Sequence, residues 1–317
     1  MDTLPLFEEP SEFDRARLRS RLGELAARSI YIGTSSWKYP GWIGQIYSRN
    51  RYIVRGRFSE KRFQAECLNE YAETFPIVCG DFSFYQFPSE GYWQRLFSSA
   101  PRSLKYAFKA PEDVTVKKFP RHPRYGERGG TDNSFFLDAA LFQNSFTDLL
   151  QPYRERLAVI IFEFGSFARQ TYSGADNFLE QLDPFLASLA PYFRYAVEIR
   201  NPEFLGREYF DCLQRHGVAH VFNSWTRMPA IDTQVQLPGA VTAAFTVARA
   251  LLRPGVAYEQ AVTKFSPYER VTDPNPEVRQ ALRGLISRAR ERNEPSYIFV
   301  NNRLEGNAPQ TIEAVAD

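Results

Sequence analysis

The sequence predicts an α/β protein that folds as a single (β/α)8 TIM barrel. Eight short runs have the composition of strands, and helical patterns separate most of them. Eight parallel strands close such a barrel, and barrels of about 250 residues or more form one domain. We therefore expect residues 30–317 to form the barrel and residues 1–29 to form an N-terminal helical extension. The predicted strands cover residues 30–35, 77–82, 104–109, 158–165, 195–200, 218–223, 240–247 and 296–302.

In the N-terminal extension, apolar residues recur at near-helical spacing among arginines and glutamates, which predicts a helix that lies on the barrel. These residues are Phe13, Leu18, Leu22 and Leu25. The first strand opens into an aromatic loop that contains Trp37. The loop has two interpretations, a wall over a pocket or simple packing against the barrel rim. In the first interpretation, Trp37 contributes to ligand binding.

The second and third strands end in charged residues. Alternation puts Cys79 and Asp81 on one face of the second strand, and Tyr85 lies in the loop that follows. Lys109 ends the third strand. The small Ala107 lies beneath Lys109 on the same face, as expected if that face points into a tight barrel.

The fourth and fifth strands each carry an acidic residue near their end. The fourth is a nearly continuous β-branched run whose last polar residue is Glu163. In the fifth, alternation puts Glu198 and Arg200 on one face. Such a pair alone is more typical of a structural ion pair than of a site, but several other strands end in the same way. Amide side chains end the sixth and eighth strands, namely Asn223, Asn301 and Asn302.

Sequence signals mark the ends of several helices. Ser59 is the expected N-cap of a helix that ends before Pro76. Asn275 is the expected N-cap of a helix with Pro276 at its first position. Gly217 is expected just past the end of a helix that begins at about residue 207. Further helices are expected at about 91–97, 134–150, 176–190 with a break at Asp183-Pro184, and 308–316.

The segment 110–133 after the third strand is too long for an ordinary connection. It is basic and rich in proline and glycine, so we expect a functional or mobile loop. Its part 117–128 offers one alternative function, the binding of nucleic acid, because basic and aromatic side chains together bind single strands. The net charge of +2, from 39 Lys and Arg against 37 Asp and Glu, gives this alternative no global support.

Cysteine usage and the first residues favour a cytoplasmic protein. The three cysteines, Cys67, Cys79 and Cys212, are odd in number and far apart, which is not typical of a disulfide framework. Residues 1–29 contain no apolar core of signal-peptide length. No run of about 18 apolar residues occurs, so we expect no membrane span.

Several catalytic and cofactor motifs are absent from the sequence. His216 and His220 are four apart, but Gly217 separates a helix end from a strand, which excludes a zinc-binding helix motif formed by these two residues. No Gly-x-Gly-x-x-Gly or Gly-Lys-Ser/Thr motif follows a strand. No Gly-x-Ser-x-Gly nucleophile elbow occurs. The sequence therefore predicts no cofactor, and nucleotide cofactors and serine hydrolysis lose most of their support.

Five motifs in one order identify a family resemblance. They are residues 32–42, 84–88, 108–111, 196–202 and 299–309. In these motifs the chain resembles the YecE-like family, the seventy-second of the numbered domains of unknown function, whose members are TIM barrels. The resemblance implies the fold and the location of the pocket, and it implies no activity.

The chain departs from the pattern of the family at four positions. Cys79 and Asp81 stand where the family usually has Glu and Asn. Val116 stands in place of a His, and Glu163 in place of a Gln. The chemistry of the site is therefore expected to differ from that of the family.

The candidate site lies where TIM barrels place their active sites, at the carboxyl ends of the strands. The predicted catalytic residues are Glu198, Glu163 and Lys109. The predicted ligand-binding residues are Asp81, Tyr85, Trp37, Arg200, Asn223, Asn301 and Asn302. The structural alternative is a water-filled, hydrogen-bonded barrel mouth without chemistry.

Two enzyme hypotheses use these residues. In the first, the protein binds or turns over a small polar ligand, anionic or sugar-like, as an acid–base hydrolase, lyase or isomerase. Glu198 or Glu163 then acts as acid or base, while Lys109 and Arg200 hold negative charge. The alternative place for an anion is Arg249, Arg253 and Arg303, near the loops of the seventh and eighth strands, which commonly bind phosphate in this fold. In the second, Asp81, Glu163 and Glu198 bind Mg²⁺ or Mn²⁺ for isomerisation or phosphoester hydrolysis.

Overall fold

Eight parallel strands hydrogen-bond in a closed ring, as the sequence predicts. The computed structural model describes residues 13–316. Each strand of the ring pairs with the strands that precede and follow it along the chain, and the eighth pairs with the first. The strands are β1 (Ile30–Thr34), β2 (Ile77–Gly80), β3 (Lys105–Lys109), β4 (Leu157–Glu163), β5 (Tyr195–Glu198), β6 (Ala219–Ser224), β7 (Thr246–Ala250) and β8 (Ser296–Val300). A separate two-stranded hairpin pairs Ile53–Val54 with Arg57–Phe58.

Helices and short turns connect the strands and surround the ring. The α-helices are Arg15–Ala26, Glu60–Tyr71, Phe82–Tyr85, Glu90–Ser98, Glu112–Thr115, Ala139–Phe142, Asp148–Leu150, Ala175–Ala187, Arg207–Arg215, Ile231–Gln236, Tyr258–Phe265, Pro276–Arg292 and Ala308–Val315. A π-helical turn, Gln143–Thr147, joins two of them. Three predicted helix ends are confirmed. The Ser59 hydroxyl accepts from the Arg62 amide, the Asn275 side chain accepts from the Val278 amide, and Gly217 has a φ of 63°.

The leading helix, Arg15–Ala26, packs against the barrel through the predicted apolar face. Leu18, Leu22 and Leu25 are buried in the main core. Asp14 caps the helix by accepting a hydrogen bond from the Arg17 amide at 2.9 Å. The first 12 residues of the predicted extension lie outside the described residues. The division of the chain into an extension and a barrel domain stays a prediction.

Two helix predictions need correction. Residues 134–138 are not helical, and Leu137 has a φ of 56°, which ends any continuous helix there. The expected break at Asp183-Pro184 is also absent, because the helix Ala175–Ala187 continues through Pro184. A proline removes one backbone hydrogen bond, and here the buried apolar face of the helix outweighs that loss.

The prediction of a seventh strand at residues 240–247 is wrong. The strand is β7, and only its first two residues fall in the predicted range. Pairing with β6 and with β8 fixes its position, and this pairing is not visible in the apolar pattern of β7 alone. Arg249 therefore lies inside a strand of the barrel and not in the loop that follows it.

The interior of the ring is filled by small and branched side chains. They include Ile77, Cys79, Ala107, Val159, Ile161, Ala196, Val221, Val247 and Phe299. Since side chains alternate along a strand, the next inward position toward the carboxyl end lies two residues further on. Polar residues occupy that position in five strands, namely Lys109, Glu163, Glu198, Asn223 and Arg249. The barrel thus has an apolar interior below a charged layer.

The seam between β1 and β2 has fewer paired residues than any other junction of neighbouring strands in the ring. The only residues paired across it are Thr34 and Val78, among the described strands. The hydroxyl of Tyr71 is inserted beside this pair. It accepts a hydrogen bond from the Thr34 amide at 3.1 Å and donates to the carbonyl oxygen of Ile77 at 2.9 Å. A side chain from a surrounding helix therefore completes the hydrogen bonding of the barrel.

The long segment 110–133 has a defined conformation. It contains the helix Glu112–Thr115 and the 3-10 turn Pro123–Arg128. The Asn133 side-chain amide donates to the carbonyl oxygens of Asp113 and Val116, both at 2.7 Å. These bonds tie the end of the segment back to its beginning.

Cys67, Cys79 and Cys212 are buried free thiols, as their separation in the sequence predicts. Among residues 13–316, no helix is both long enough and apolar enough to cross a membrane. The cytoplasmic location stays a prediction.

Gly33 in β1 gives a test of the seam, because a Cβ atom at this position would lie 2.0 Å from the carbonyl oxygen of Ile77. We expect Gly33→Ala to lower the free energy of unfolding by at least about 1–3 kcal/mol, the usual cost of overpacking. Urea denaturation followed by circular dichroism measures this change.

Gly23→Ala is the matched control for Gly33→Ala. Gly23 lies in the leading helix, and a Cβ atom there meets nothing within 4 Å. Because alanine favours helices, we expect a gain of about 0.5–1 kcal/mol. Equal effects of the two substitutions would contradict the close approach at the seam.

Candidate functional site

A cavity of about 200 Å³ opens at the carboxyl ends of the strands. Its lining is Asp81, Phe84, Tyr85, Lys109, Arg124, Glu163, Arg200, Trp225, Arg249, Leu251, Leu252, Tyr258, Asn301 and Arg303. The parallel strands carry their charged ends to this one rim, and the loops that follow β2, β3, β6, β7 and β8 supply the walls. Charged side chains and aromatic rings make up most of the surface.

Two guanidinium groups bridge the two glutamates at the base of the cavity. Glu163 and Glu198 are register partners in β4 and β5, so their side chains lie next to each other. Arg200 Nη2 lies 2.9 Å from Glu163 Oε1 and 3.0 Å from Glu198 Oε1. Arg249 Nη1 lies 2.6 Å from Glu163 Oε2 and also contacts Glu198 Oε2. Each guanidinium therefore screens the repulsion between the two carboxylates.

Lys109 and Asp81 extend this cluster toward β2. Lys109 Nζ lies 3.2 Å from Glu163 Oε2 and 3.5 Å from Asp81 Oδ1. Arg249 Nη2 lies 3.6 Å from the same Asp81 oxygen. We call these six groups, Asp81, Lys109, Glu163, Glu198, Arg200 and Arg249, the charge cluster.

The charge cluster is mostly withdrawn from solvent. Glu198 is fully buried, Arg249 and Lys109 are 2% and 5% exposed, and Glu163 is 6% exposed. A buried charge is tolerated only when it is paired, and removing one partner of a buried pair costs about 3–5 kcal/mol. With three cations and three carboxylates, the cluster balances its charge. Removal of a buried member would leave a buried charge unpaired and lower the stability of the fold.

The charge cluster fixes the ionisation of two of the predicted catalytic residues. Burial alone would raise the pKa of Glu163, but Arg200, Lys109 and Arg249 outweigh it and hold this pKa well below its ordinary value. Burial alone would lower the pKa of Lys109, but Asp81 and Glu163 outweigh it and raise this pKa. Glu163 is therefore a carboxylate and Lys109 an ammonium group at neutral pH.

Four cations of the cavity each lie over an aromatic ring. The distances to the ring centroids are 4.0 Å for Lys109 on Phe84, 3.7 Å for Arg200 on Trp225, 4.7 Å for Arg124 on Tyr85 and 4.4 Å for Arg303 on Tyr258. Stacking of this kind orients a guanidinium while leaving its edge of N–H groups available. The rings thus hold these cations in place, two at the bottom of the cavity and two nearer its opening.

Arg303 differs from the other cations of the cavity. Its Nη1 donates to Asn301 Oδ1 at 3.3 Å, and its Nε has no hydrogen-bond partner in the described chain. Arg124, in contrast, pairs with Glu112 Oε2 at 2.5 Å behind the cavity wall. The lining holds five cations and two carboxylates. When Glu112 and Glu198 are added, one cation remains in excess.

The structure brings seven of the ten predicted site residues together, although Glu198 lies beneath the lining and not in it. Asp81, Tyr85, Lys109, Glu163, Arg200 and Asn301 line the cavity. Their assignments as catalytic or ligand-binding residues stay predictions, because position alone does not establish a role.

Three predicted ligand-binding residues, Trp37, Asn223 and Asn302, lie outside the cavity lining. Trp37 is buried and packs edge-to-face on Phe82, which agrees with simple packing at the rim. The Asn223 amide nitrogen donates to the Ile199 carbonyl oxygen at 3.2 Å. Asn302 Oδ1 accepts from the Trp42 indole at 3.2 Å and from the Ala308 amide at 2.8 Å. These contacts hold neighbouring backbone and loops in place.

Several lining residues are not among the predicted catalytic and ligand-binding residues, although two of them, Arg249 and Arg303, belong to the alternative anion site that the sequence indicated. Arg249 was placed outside the barrel strands because the predicted limits of β7 were wrong. Within the correct strand, alternation from Val247 puts Arg249 on the inward face. Arg303 follows Asn301 by two residues in a matching family motif, which was the available signal. The remaining missed residues come from loops and have no periodicity to mark them, namely Phe84, Arg124, Trp225, Leu251, Leu252 and Tyr258.

The three carboxylates of the charge cluster do not fit a Mg²⁺ or Mn²⁺ site. Nitrogen atoms of Arg249 lie within 3.6 Å of Asp81, Glu163 and Glu198. A divalent ion among these carboxylates would lie beside that guanidinium and beside Lys109, at a large electrostatic cost. We therefore derive no chemistry that passes through a metal in this cavity.

The basic segment 117–128 carries less free charge than its sequence indicates. Arg124 pairs with Glu112, and Arg128 pairs with Asp113. Lys117 Nζ donates to Gln181 Oε1 at 3.0 Å. The two ion pairs neutralise part of the positive charge that the nucleic-acid alternative requires, and that alternative stays a prediction.

By its fold and the position of its cavity, the chain is a TIM-barrel protein with a candidate site at the carboxyl ends of the strands. It belongs to the family described as "Protein of unknown function DUF72", whose family model matches residues 31–317. The family resemblance found in the sequence motifs is thereby confirmed.

Three proteins of low sequence identity illustrate what the chain is similar to. UPF0759 protein YecE of Escherichia coli K12 is 23% identical over 181 residues, which cover 56% of this chain and 51% of the relative. The match thus spans about half the length of that curated relative. A crystal structure of a DUF72 family protein from Thermotoga maritima has a TM-score of 0.58 and 20% identity, covering 90% of this chain and 97% of the other. One from Enterococcus faecalis has a TM-score of 0.58 and 13% identity, covering 90% and 94%. Likeness at this level shows the fold.

The pKa of Glu163 predicts a specific dependence of stability on pH. Because this pKa is depressed in the folded protein, ionised Glu163 stabilises the fold above its ordinary value of 4.5, and this contribution is lost as the pH falls below that value. We expect Glu163→Gln to be less stable than the wild type at about pH 6, and we expect the difference to shrink toward about pH 3. Urea denaturation across this range measures it.

The control for Glu163→Gln is Glu66→Gln, which removes a carboxylate from an exposed surface pair with Arg62. It changes the net charge by the same amount without touching the charge cluster. A difference between wild type and Glu163→Gln that stays constant from about pH 6 to about pH 3 would contradict a depressed pKa.

Proposed function

We propose that the cavity binds a small anionic ligand, a carboxylate or phosphate compound with a polar, sugar-like body. The observation that carries this proposal is Arg303, the cation of the lining that has no carboxylate partner within the described chain. An uncompensated guanidinium beside a cavity is a fork of donors that matches a carboxylate or a phosphate.

The charge cluster supports this location for the anion. Lys109, Arg200 and Arg249 already contact carboxylates of the protein, so they offer a ligand little uncompensated charge. Arg303 has no carboxylate partner in the described chain. Arg124 pairs with Glu112, which lies outside the cavity lining. We therefore place the anionic group near the opening, where Arg303 and Arg124 lie, and the rest of the ligand toward the charge cluster.

The size and surface of the cavity limit the rest of the ligand. Its volume of about 200 Å³ is smaller than the range of about 300–1,000 Å³ that is usual for drug-sized ligands. Aromatic rings such as Trp225 and Tyr258 provide flat apolar surfaces next to polar groups. A sugar presents the matching combination of a C–H face and hydroxyl groups.

The geometry favours binding over acid–base catalysis by the three predicted catalytic residues. An efficient general acid or base has a pKa near the working pH. The pKa of Glu163 is moved down and that of Lys109 is moved up, both away from neutrality. Glu198 is fully buried beneath two guanidinium groups. In the proposed function, these three residues give the bottom of the cavity its shape and its charges.

Calorimetric titration and thermal shift with phosphate, sugar phosphates, carboxylic acids and the matching neutral sugars test the proposal. We expect at least one anionic compound to bind and to raise the melting temperature of the wild type. Arg303→Ala removes a charged hydrogen bond worth about 1.5–3 kcal/mol, so the dissociation constant should rise about 10- to 100-fold.

Arg207→Ala is the control for Arg303→Ala. Arg207 is 88% exposed and forms only a surface pair with Asp211, on a helix of the outer layer. We expect this variant to bind the anion as the wild type does. Binding that is unchanged in Arg303→Ala, or no binding of any anionic compound, would contradict the proposed function.

A further inference from the structure

A second cluster of chemically reactive side chains lies on the outer helices, away from the cavity. Asp183 is near the end of the helix Ala175–Ala187, and Cys212 and His216 are at the end of the helix Arg207–Arg215. Helices of a (β/α) barrel run opposite to its strands, so the ends of both helices lie toward the amino-terminal face. The candidate binding site opens on the carboxyl-terminal face.

The three side chains converge on one point. Cys212 and His216 are four residues apart, which places them on the same face of a helix. Asp183 Oδ1 lies 2.8 Å from His216 Nε2 and 3.4 Å from Cys212 Sγ. The three candidate ligand atoms all lie within 4.8 Å of one another, and in residues 13–316 no other group of three such side chains does so.

We propose that Asp183, Cys212 and His216 form a site for a divalent transition-metal ion of the Zn²⁺ type, with water as the fourth ligand. Zn²⁺ binds thiolate at about 2.3 Å and imidazole or carboxylate at about 2.0–2.2 Å. Tetrahedral geometry then separates the sulfur from the carboxylate oxygen by about 3.5 Å and the nitrogen from that oxygen by about 3.3 Å. The first separation is already present, and the second requires a movement of about half an ångström. The sulfur and the nitrogen lie within 4.8 Å of each other, and the ion would bring them to about 3.6 Å.

The donor set selects the kind of metal. A thiolate and an imidazole favour Zn²⁺ over Mg²⁺ or Ca²⁺, which prefer oxygen ligands. The thiol proton of Cys212 is released to solvent when the ion binds, and His216 binds through Nε2 with its proton on Nδ1. Arg215 Nη2 now donates to the same oxygen of Asp183 at 2.8 Å, and its exposed side chain can turn away.

The surroundings leave a path for the ion. The Cys212 side chain is 1% exposed and lies at the inner end of the cluster. The side chains of His216 and Asp183 are 18% and 43% exposed, so the fourth position faces solvent. Because the ligands come from two helices, the ion links these helices to each other. This position predicts a stabilising role, separate from ligand binding in the cavity.

Titration of the chelator-treated full-length protein with Co²⁺ tests the metal site directly. We expect visible bands of tetrahedral cobalt and a near-ultraviolet band from thiolate ligation, both complete at one equivalent. Cys212→Ser should lose the thiolate band, while Cys67→Ser, which removes another buried thiol, should keep it. Asp183→Asn and His216→Ala each change a direct ligand of the metal. Loss of a residue that only supports a ligand already costs about 10- to 100-fold in affinity, so these variants should weaken cobalt binding by more than about 10-fold.

Stability gives a second measurement for the same site. At one concentration of Zn²⁺, the melting temperature of the wild type and of Arg303→Ala should rise by the same amount, and that of Asp183→Asn should rise less. No thiolate band in the wild type at equimolar cobalt, or a band that persists in Cys212→Ser, would overturn the site. Arg303 is not a ligand of the metal, so Arg303→Ala should keep the cobalt bands. Failure of the anion site and failure of the metal site are therefore distinguishable.

Discussion

The need to balance charge inside the barrel mouth governs the structure of the candidate site. Register places Glu163 and Glu198 next to each other, where two carboxylates repel. Arg200 and Arg249 each contact both carboxylates, from two sides, and offset this repulsion. Lys109 and Asp81 complete the balance. Each of the six groups is thus held in place by the others, and the layer is rigid as well as neutral.

The charge cluster at the bottom of the cavity is neutral, and this is why the proposed function places the anion near the opening. The cations of the charge cluster contact the protein itself, whereas the guanidinium of Arg303 is stacked on Tyr258 and lacks a carboxylate. The aromatic rings fix these cations without neutralising them, because a ring offers an attractive face and no full charge. In the proposed function, binding of an anion and charge balance at the bottom of the cavity therefore depend on different residues.

The sequence predicted the barrel and most of the charge cluster, because both depend on local patterns. Alternation placed Glu198 and Arg200 on one face, and Lys109 above Ala107. Arg249 was misplaced since the limits of β7 depend on pairing with two strands that are distant along the chain. Glu163 and Lys109 were assigned as catalytic residues by position, whereas their ionisation depends on neighbours that only the closed ring brings together. The aromatic walls come from loops, whose side chains follow no period.

The seam between β1 and β2 ties the closure of the barrel to a single helix. Backbone pairing joins these strands at one position, and the Tyr71 hydroxyl makes the remaining bridge between Thr34 and Ile77. Without the helix Glu60–Tyr71, only the pair of Thr34 and Val78 would join β1 to β2, and the facing edges of these strands would otherwise be unpaired, the kind of surface on which chains associate. Closure of the barrel therefore depends on the docking of this helix as well as on the pairing of strands.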